Sequence, residues 1–243
     1  MSTAMIPIVE VIGPAQQGLS RPLLCVGADD QRYYVKGQQT NRASLWSEWI
    51  CAHLAQALGL PLPPFSLVQL DPALVRELPK DLQAVGSLPA FGSREVVHTV
   101  WLELGIDHKV APELQRKVLA FDWWVRNTDR LRGNTNLLWD TAHQSLVVID
   151  HNLAFGNNFD AAEFIDHHVF ADQWPALTHD LVEQAQHAQW LHGAMGAAVK
   201  ALDTAPEEWL QENSEFDVPA KFDSVQALRQ LERCSTPDFW RAP

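Results

Sequence analysis

At 243 residues, 47% hydrophobic and 20% charged, the chain has the composition of a globular protein, large enough for one large or two small domains. Its 18 basic and 30 acidic side chains leave a formal charge of −12, which excludes broad binding to nucleic acid or to an anionic membrane surface, since both need a basic face. Cys25, Cys51 and Cys234 are far apart and form no Cys-x-x-Cys pair, which excludes a disulfide framework and a cysteine zinc site and reads as three reduced, structural thiols.

No apolar run approaches the roughly 18 residues of a membrane span, so no transmembrane segment is expected. The start, MSTAMIPIVE, has neither the charged leader nor the apolar core of a secretory signal, and a cytoplasmic protein is expected. Residues 5–12, 22–26 and 31–36 are short runs rich in β-branched and aromatic side chains, separated by the turn-prone GPAQQGLS and GADD; they predict a small antiparallel sheet. A helix follows over 44–58, where Trp46, Trp49, Ile50, His53, Leu54 and Ala57 recur at helical spacing, with Gly59 as stop and Pro61 beyond. Residues 64–71 predict another strand, 72–92 weaken into loop, and 95–104 fit a strand or a short helix equally.

From Pro112 the character changes. That proline suits a first helical turn, and Leu114, Val118, Phe121 and Val125 make an apolar stripe on a helix ending near Asn127. The polar loop TDRLRGN, a strand over 136–139, the turn DTAHQS and a strand over 146–149 come next, with Asp150 at the end of the last strand. Residues 160–243 read as mostly helical, for instance 178–202 and 223–233. The sum is a two-lobed α+β arrangement: a β-rich lobe with one helix over residues 1–100, and a mostly helical lobe with an embedded hairpin over 101–243.

Chemistry concentrates in the second part. Asp129 and Asn134 form D-x-x-x-x-N in a loop between a helix and a hairpin, and Asp150 closes that hairpin. This is a phosphotransfer pattern: a loop carboxylate takes the proton of an acceptor hydroxyl, and an Asn and a second Asp offer the oxygen ligands that hard Mg²⁺ prefers. Asp122 and Asn127 satisfy the same spacing, but Asp122 lies inside the periodic helix, so its pair is set aside. Asn136 is an alternative to Asn134, since strand period places both on one side; Asn134 is favoured.

In the first part Lys36 ends the strand YYVK and Glu48 follows on the helix, an order that suits a lysine on nucleotide phosphates oriented by a glutamate. The turn GPAQQGLS, with Gly13 and Gly18, offers backbone N–H groups to phosphate, although it is neither GxGxxG nor GxxxxGK[ST]; Gly18 and Ser20 are its candidate nucleotide contacts. The bland alternatives are turn glycines, solvated charges and loop-capping Asp and Asn.

The segments YYVKG, SEWICAHLAQALGLPLP, FGS, FDWWVRNTDRLRGNTNLLW and LVVIDHNLAFG resemble the HipA-like kinase family in its short form, a bacterial relative of the phosphatidylinositol 3/4-kinase and protein-kinase fold. The resemblance runs from about Gly13 to Gly156 and is strongest in NTDRLRGN followed by IDHNLAF. It implies a protein-kinase-like fold and an ATP- and Mg²⁺-dependent serine/threonine kinase, with Lys36 on the nucleotide phosphates, Glu48 as its partner, Asp129 as catalytic base, and Asn134 and Asp150 as metal ligands. It also implies an autophosphorylated serine in a phosphate-facing loop, Ser93 or Ser20, and an antitoxin or regulatory protein as a partner class. The chain is shorter than the HipA toxins and is expected to lack their extra N-terminal domain, so the toxin role is not carried over.

Two other readings stand beside it. A lipid or small-molecule kinase would need a local basic patch, for which Arg126, Arg130 and Arg132 are the candidates. A non-catalytic kinase-fold binding module would be expected to have lost a catalytic side chain, and none of the candidate positions is substituted. The three IDH tripeptides, ending at His108, His151 and His167, lack the spacing of a zinc site, and Trp123 and Trp124 are expected to pack behind the catalytic loop.

Overall fold

The computed structural model describes residues 5–15, 21–103, 109–213, 215 and 217–241. Strands β1 (Ile6–Pro14), β2 (Leu23–Gly27), β3 (Arg32–Lys36), β4 (Phe65–Leu70) and β5 (Ala90–Arg94) close into a barrel in the order β1-β2-β3-β5-β4. The first three strands pair antiparallel as expected, and β4 and β5 extend them into a closed barrel. β1 pairs with β4 in parallel, Ile6 opposite Val68 and Ile8 opposite Leu70, and closure removes the edges that a small open sheet would leave unpaired.

β5 is the strand that its own sequence hides, because Gly92 interrupts the run AFGSR. A Cβ at Gly92 would sit 2.5 Å from Val68 Cγ1, so the glycine allows the neighbouring strand's valine to pack across it. Inside the barrel, alternate side chains such as Leu23 and Cys25, or Tyr33 and Val35, are buried with period two. Burial pushes the Cys25 thiol up to about 12, so it is an inert core residue. All three cysteines are buried, and none is in a disulfide.

Helix α1 (Arg42–Ala57) starts where Asn41 Oδ1 accepts the Ser44 N–H at 2.8 Å, and Gly59, at φ 69°, turns the chain out of it. The stretch expected to be loop begins with a short helix, α2 (Pro72–Glu77), capped by Asp71 with proline at its first position. A second sheet has the order β6 (Thr99–Trp101), β7 (Leu137–Asp140) and β8 (Ser145–Val148), so within the stretch that fits a strand or a short helix equally, residues 99–101 are strand.

Helix α3 (Pro112–Val125) is buried at every position from Val118 to Val125, beyond the one stripe its periodicity shows. After it come α4 (Ala161–His167), α5 (Trp174–Thr178), α6 (Leu181–His192), α7 (Met195–Thr204) and α8 (Ser224–Glu232). The helical stretch expected over 178–202 holds two helices, α6 and α7, because α6 ends at Gly193, whose N–H returns to Gln189. Among the described residues no helix is long and apolar enough to cross a membrane.

The chain forms two compact units, each assembled from three segments. The first comprises Met1–Trp49, Pro63–Val96 and Asp203–Phe222, the second Ile50–Leu62, Val97–Leu202 and Asp223–Pro243. In the first unit Trp209 explains why a late segment belongs with the barrel. Its indole N–H donates to Pro89 O at 2.8 Å, its own carbonyl accepts the Trp46 indole at 3.0 Å, and it is fully buried. The neighbouring Gln211 carbonyl takes Arg42 Nε at 3.0 Å. In the second unit the Val148 N–H reaches Pro61 O at 2.7 Å, and Trp190 Nε1 donates to Leu58 O at 3.2 Å.

Candidate active site

The loop after α3 is built on a carboxylate that never meets water. Asp122 lies in the last turn of α3, fully buried, and accepts from Asn127 Nδ2 at 2.9 Å, Arg130 Nε at 2.6 Å and His168 Nε2 at 3.1 Å. The Phe170 N–H donates to His168 Nδ1 at 3.0 Å, so that nitrogen is the acceptor and the ring proton sits on Nε2, toward Asp122. Burial would raise the Asp122 carboxyl, but the Arg130 charge and the His168 hydrogen bond outweigh it and hold it well below the usual carboxylate range. Arg130, also fully buried, donates through Nη1 to the carbonyls of Asn136 at 2.6 Å and Ile149 at 3.1 Å. One guanidinium thus ties the end of α3 to both flanks of the hairpin.

Asp129 is suspended in that frame. Asn134 Nδ2 donates to its Oδ1 at 3.2 Å, Asn136 Nδ2 to its Oδ2 at 2.9 Å, and its own N–H donates to Asn127 Oδ1 at 3.3 Å. Asn134 reaches it because residues 131–134 fold back on themselves, the Leu131 N–H on Asn134 O at 2.9 Å and the Asn134 N–H on Leu131 O at 3.1 Å. Asn136 reaches it from a left-handed position at φ 47°, and Asp150 is held at φ 58° just past β8. Burial raises the Asp129 carboxyl above its usual range; the Asn136 bond opposes, the Asp150 charge adds to the rise, and Asn134 and Arg130 oppose. A half-buried carboxylate with a raised pKa, oriented by two amides, is suited to take a proton from a hydroxyl.

The donors here are all oxygen. With each amide N–H₂ turned to Asp129, the side-chain oxygens of Asn134 and Asn136 are left as acceptors beside the carboxylates of Asp129 and Asp150, a set that fits a hard divalent cation. The repulsion between the two carboxylates is of the kind a bound cation relieves.

In the barrel unit, Lys36 at the end of β3 and Glu48 on α1 form a buried ion pair, with side chains 9% and 4% exposed. Glu48 is the one acid in α1, a buried charge, and the lysine is its reason.

Other expectations fare differently. Gly18 and Ser20 lie outside the described residues, as does the IDH copy ending at His108. Ser93, expected in a phosphate-facing loop, is instead within β5, one residue from its end, opposite Tyr34 on one side and Phe65 on the other. The basic patch of Arg126, Arg130 and Arg132 dissolves: Arg130 is in the core, Arg132 pairs with Asp172 at 2.8 Å, and Arg126 lies over Phe159. Trp123 and Trp124 pack as expected, their indoles donating to Phe239 O at 2.8 Å and Leu231 O at 2.7 Å.

Sequence reasoning missed Asp122, Arg130 and His168 as a group. The available signal is that Asp122 falls four residues after Val118, on the apolar stripe, where a charge needs a buried partner. Both D-x-x-x-x-N pairs turn out to be real contacts, one holding the loop and one half-buried within it.

The fold is one that solved kinases share. It is similar to a proinflammatory kinase of Helicobacter pylori, CtkA, at 10% identity with a TM-score of 0.50 over 96% of this chain and 95% of that one. It is also similar to the Golgi casein kinase, at 12% identity with a TM-score of 0.51 over 96% of this chain and 69% of that one. No curated protein matches the sequence. The model of the HipA-like kinase family matches residues 8–243, and the chain belongs to that family. Family and fold together support a kinase, that is, a phosphotransferase.

Proposed function

We propose that the chain is an ATP- and Mg²⁺-dependent kinase of two lobes that phosphorylates a serine or threonine hydroxyl of a protein. Residues 1–100 would supply Lys36 and Glu48, and 101–243 the catalytic loop and the metal ligands. The observation that carries the reading is the Asp129 carboxylate, with one oxygen on Asn134, the other on Asn136, and a pKa raised by burial.

In this reading Asp129 accepts the proton of the acceptor hydroxyl as its oxygen attacks the γ-phosphorus of ATP, and the bond to the β-phosphate oxygen breaks to release ADP. Lys36, oriented by Glu48, holds the nucleotide phosphates through its ammonium. Asn134 and Asp150 would hold Mg²⁺, which when bound neutralises charge on the phosphoryl group. Arg130 and Asp122 take no part in transfer; they fix the backbone from which Asp129 and Asn136 project.

The test is transfer of label from γ-labelled ATP with Mg²⁺ to protein in a lysate, beside an Asp129→Asn control. Loss of about 100-fold or more in the variant is expected. Transfer that survives intact removes Asp129 as base. Label confined to lipids or small molecules moves the acceptor to those classes. A chain whose melting temperature does not respond to Mg·ATP would be a binding module, since a ligand at 100 times its Kd stabilises by about 2.7 kcal/mol.

A further inference from the structure

Two helices of the second unit end on an arginine. α3 closes on Arg126 in the left-handed region at φ 55°, a position that glycine usually fills, and α8 closes on Arg233. The two ends are tied together: the Trp124 indole donates to Leu231 O at 2.7 Å, and Gln230 Nε2 donates to Trp124 O at 3.3 Å. Gln226 Nε2 donates to Asn157 Oδ1 at 3.1 Å, which fixes the segment after Asp150 against α8. On that segment Phe159 lies under the Arg126 guanidinium, its centroid 5.5 Å from Cζ, and is itself braced by Trp123 at 5.4 Å.

Arg126 Nε is buried, and among the described residues no protein group accepts its proton. Burial, together with the nearby charge of Arg233, lowers the Arg126 pKa from its ordinary value. Among the described residues no carboxylate forms an ion pair with either arginine, whereas Arg130, Arg132 and Arg241 have Asp122, Asp172 and Asp238. A cation at a helix C-terminus is favoured by the macrodipole, which would account for either arginine alone. It does not account for two neighbouring like charges with a buried donor left over, because each of those is unfavourable until an anion is present.

We propose that Arg126 and Arg233 form a binding site for a phosphate dianion, supplied either by a phosphorylated serine or threonine of a polypeptide or by free inorganic phosphate. Guanidinium forks match phosphate oxygens in pairs, and Phe159 holds the plane of one fork in advance. The side chains involved are distinct from those that orient Asp129, so the site adds a recognition surface to the proposed kinase without depending on its transfer chemistry.

The test follows the Arg126 Nε–H signal by NMR in the full chain while an Ala-phosphoserine-Ala peptide, its unphosphorylated form, inorganic phosphate or acetate is added. Saturable movement with the two phosphates, none with the unmodified peptide and little with acetate is expected. Affinity measured by calorimetry should fall at least 10-fold in Arg126→Gly, which keeps the left-handed cap, and in Arg233→Gln, which changes a partly exposed side chain. The phosphopeptide binding 10-fold tighter than phosphate would identify a polypeptide source, and equal affinities would identify free phosphate. An immobile Nε–H signal, binding unchanged in both variants, or an equal response to acetate would overturn the proposal.

Discussion

Replacing Arg130 by methionine is expected to destabilise the protein by about 4 kcal/mol, and the figure can be built from its contacts. The guanidinium is fully buried and is the cation on Asp122, at 2.6 Å. Without it Asp122 keeps Asn127 and His168 as donors but is a buried anion lacking its strong counter-charge, a loss of roughly 3–5 kcal/mol. The Ile149 carbonyl also loses the donor it holds at 3.1 Å, about 1 kcal/mol more, while the apolar methionine returns about 1–2 kcal/mol. At about 2–4 °C per kcal/mol for a chain this long, the melting temperature should drop by roughly 10 °C. Calorimetric melts at pH 7 of the wild type, Arg130→Met, Asp122→Leu and the double variant provide the test. The double variant should recover most of the loss, because two apolar side chains leave no buried charge. A single variant losing less than about 1 kcal/mol, or a double variant no better than the worse single, would refute the account of the loop as pinned by this pair.

Acid should weaken the fold in two stages. His53, pushed down to about 4 by burial with the Lys200 charge adding, and His168, lowered by burial, stay neutral in the fold while the unfolded chain takes up protons near 6.5. Urea titrations should therefore show stability falling from about pH 6.5 toward 4, by about 2 kcal/mol for His53 after allowing for its partial exposure, with Asp122 adding a further loss only below about pH 4. Stability that rises on going from pH 7 to 5 would contradict both assignments. Trp209→Ala should cost roughly 3–5 kcal/mol and release residues 203–222 to proteolysis; a protease pattern like that of the wild type would deny Trp209 its anchoring role. Glu48→Gln leaves the Lys36 ammonium buried against a neutral partner and should cost about 3 kcal/mol by melting, more than a Glu113→Gln control at an exposed pair.

What the sequence made legible was whatever rests on local repetition. Strands β1 to β4 and helices α1 and α3 follow from period two and period 3.6, and their bounds differ from expectation by one or two residues. β5 escaped because Gly92 breaks its pattern for the sake of Val68, a neighbour that no window contains. Closure of the barrel and the attachment of 203–222 rest on partners as far apart as Trp46 and Trp209, separated by 163 positions, and no periodicity encodes that. The candidate site divides in the same way. Asp129, Asn134 and Asp150 stand out by spacing and context, and Asn136 was visible as an alternative to Asn134, whereas the structure gives each amide its own oxygen of Asp129. Asp122 was set aside for lying in a helix, yet being in the helix is what lets it hold Arg130 and, through Arg130, the hairpin.

The interleaving of the two units bears on how the chain is made. The strands of the barrel all lie within Ile6–Arg94, but the unit they belong to also includes Asp203–Phe222, which is made only after the residues 97–202 that come between. The second unit likewise waits for Asp223–Pro243. The first unit is therefore incomplete when β5 has been made, and the Trp46 indole lacks its partner on Trp209 while residues 97–202 are translated. Cells producing it slowly, or in truncated form, should see their losses at this stage.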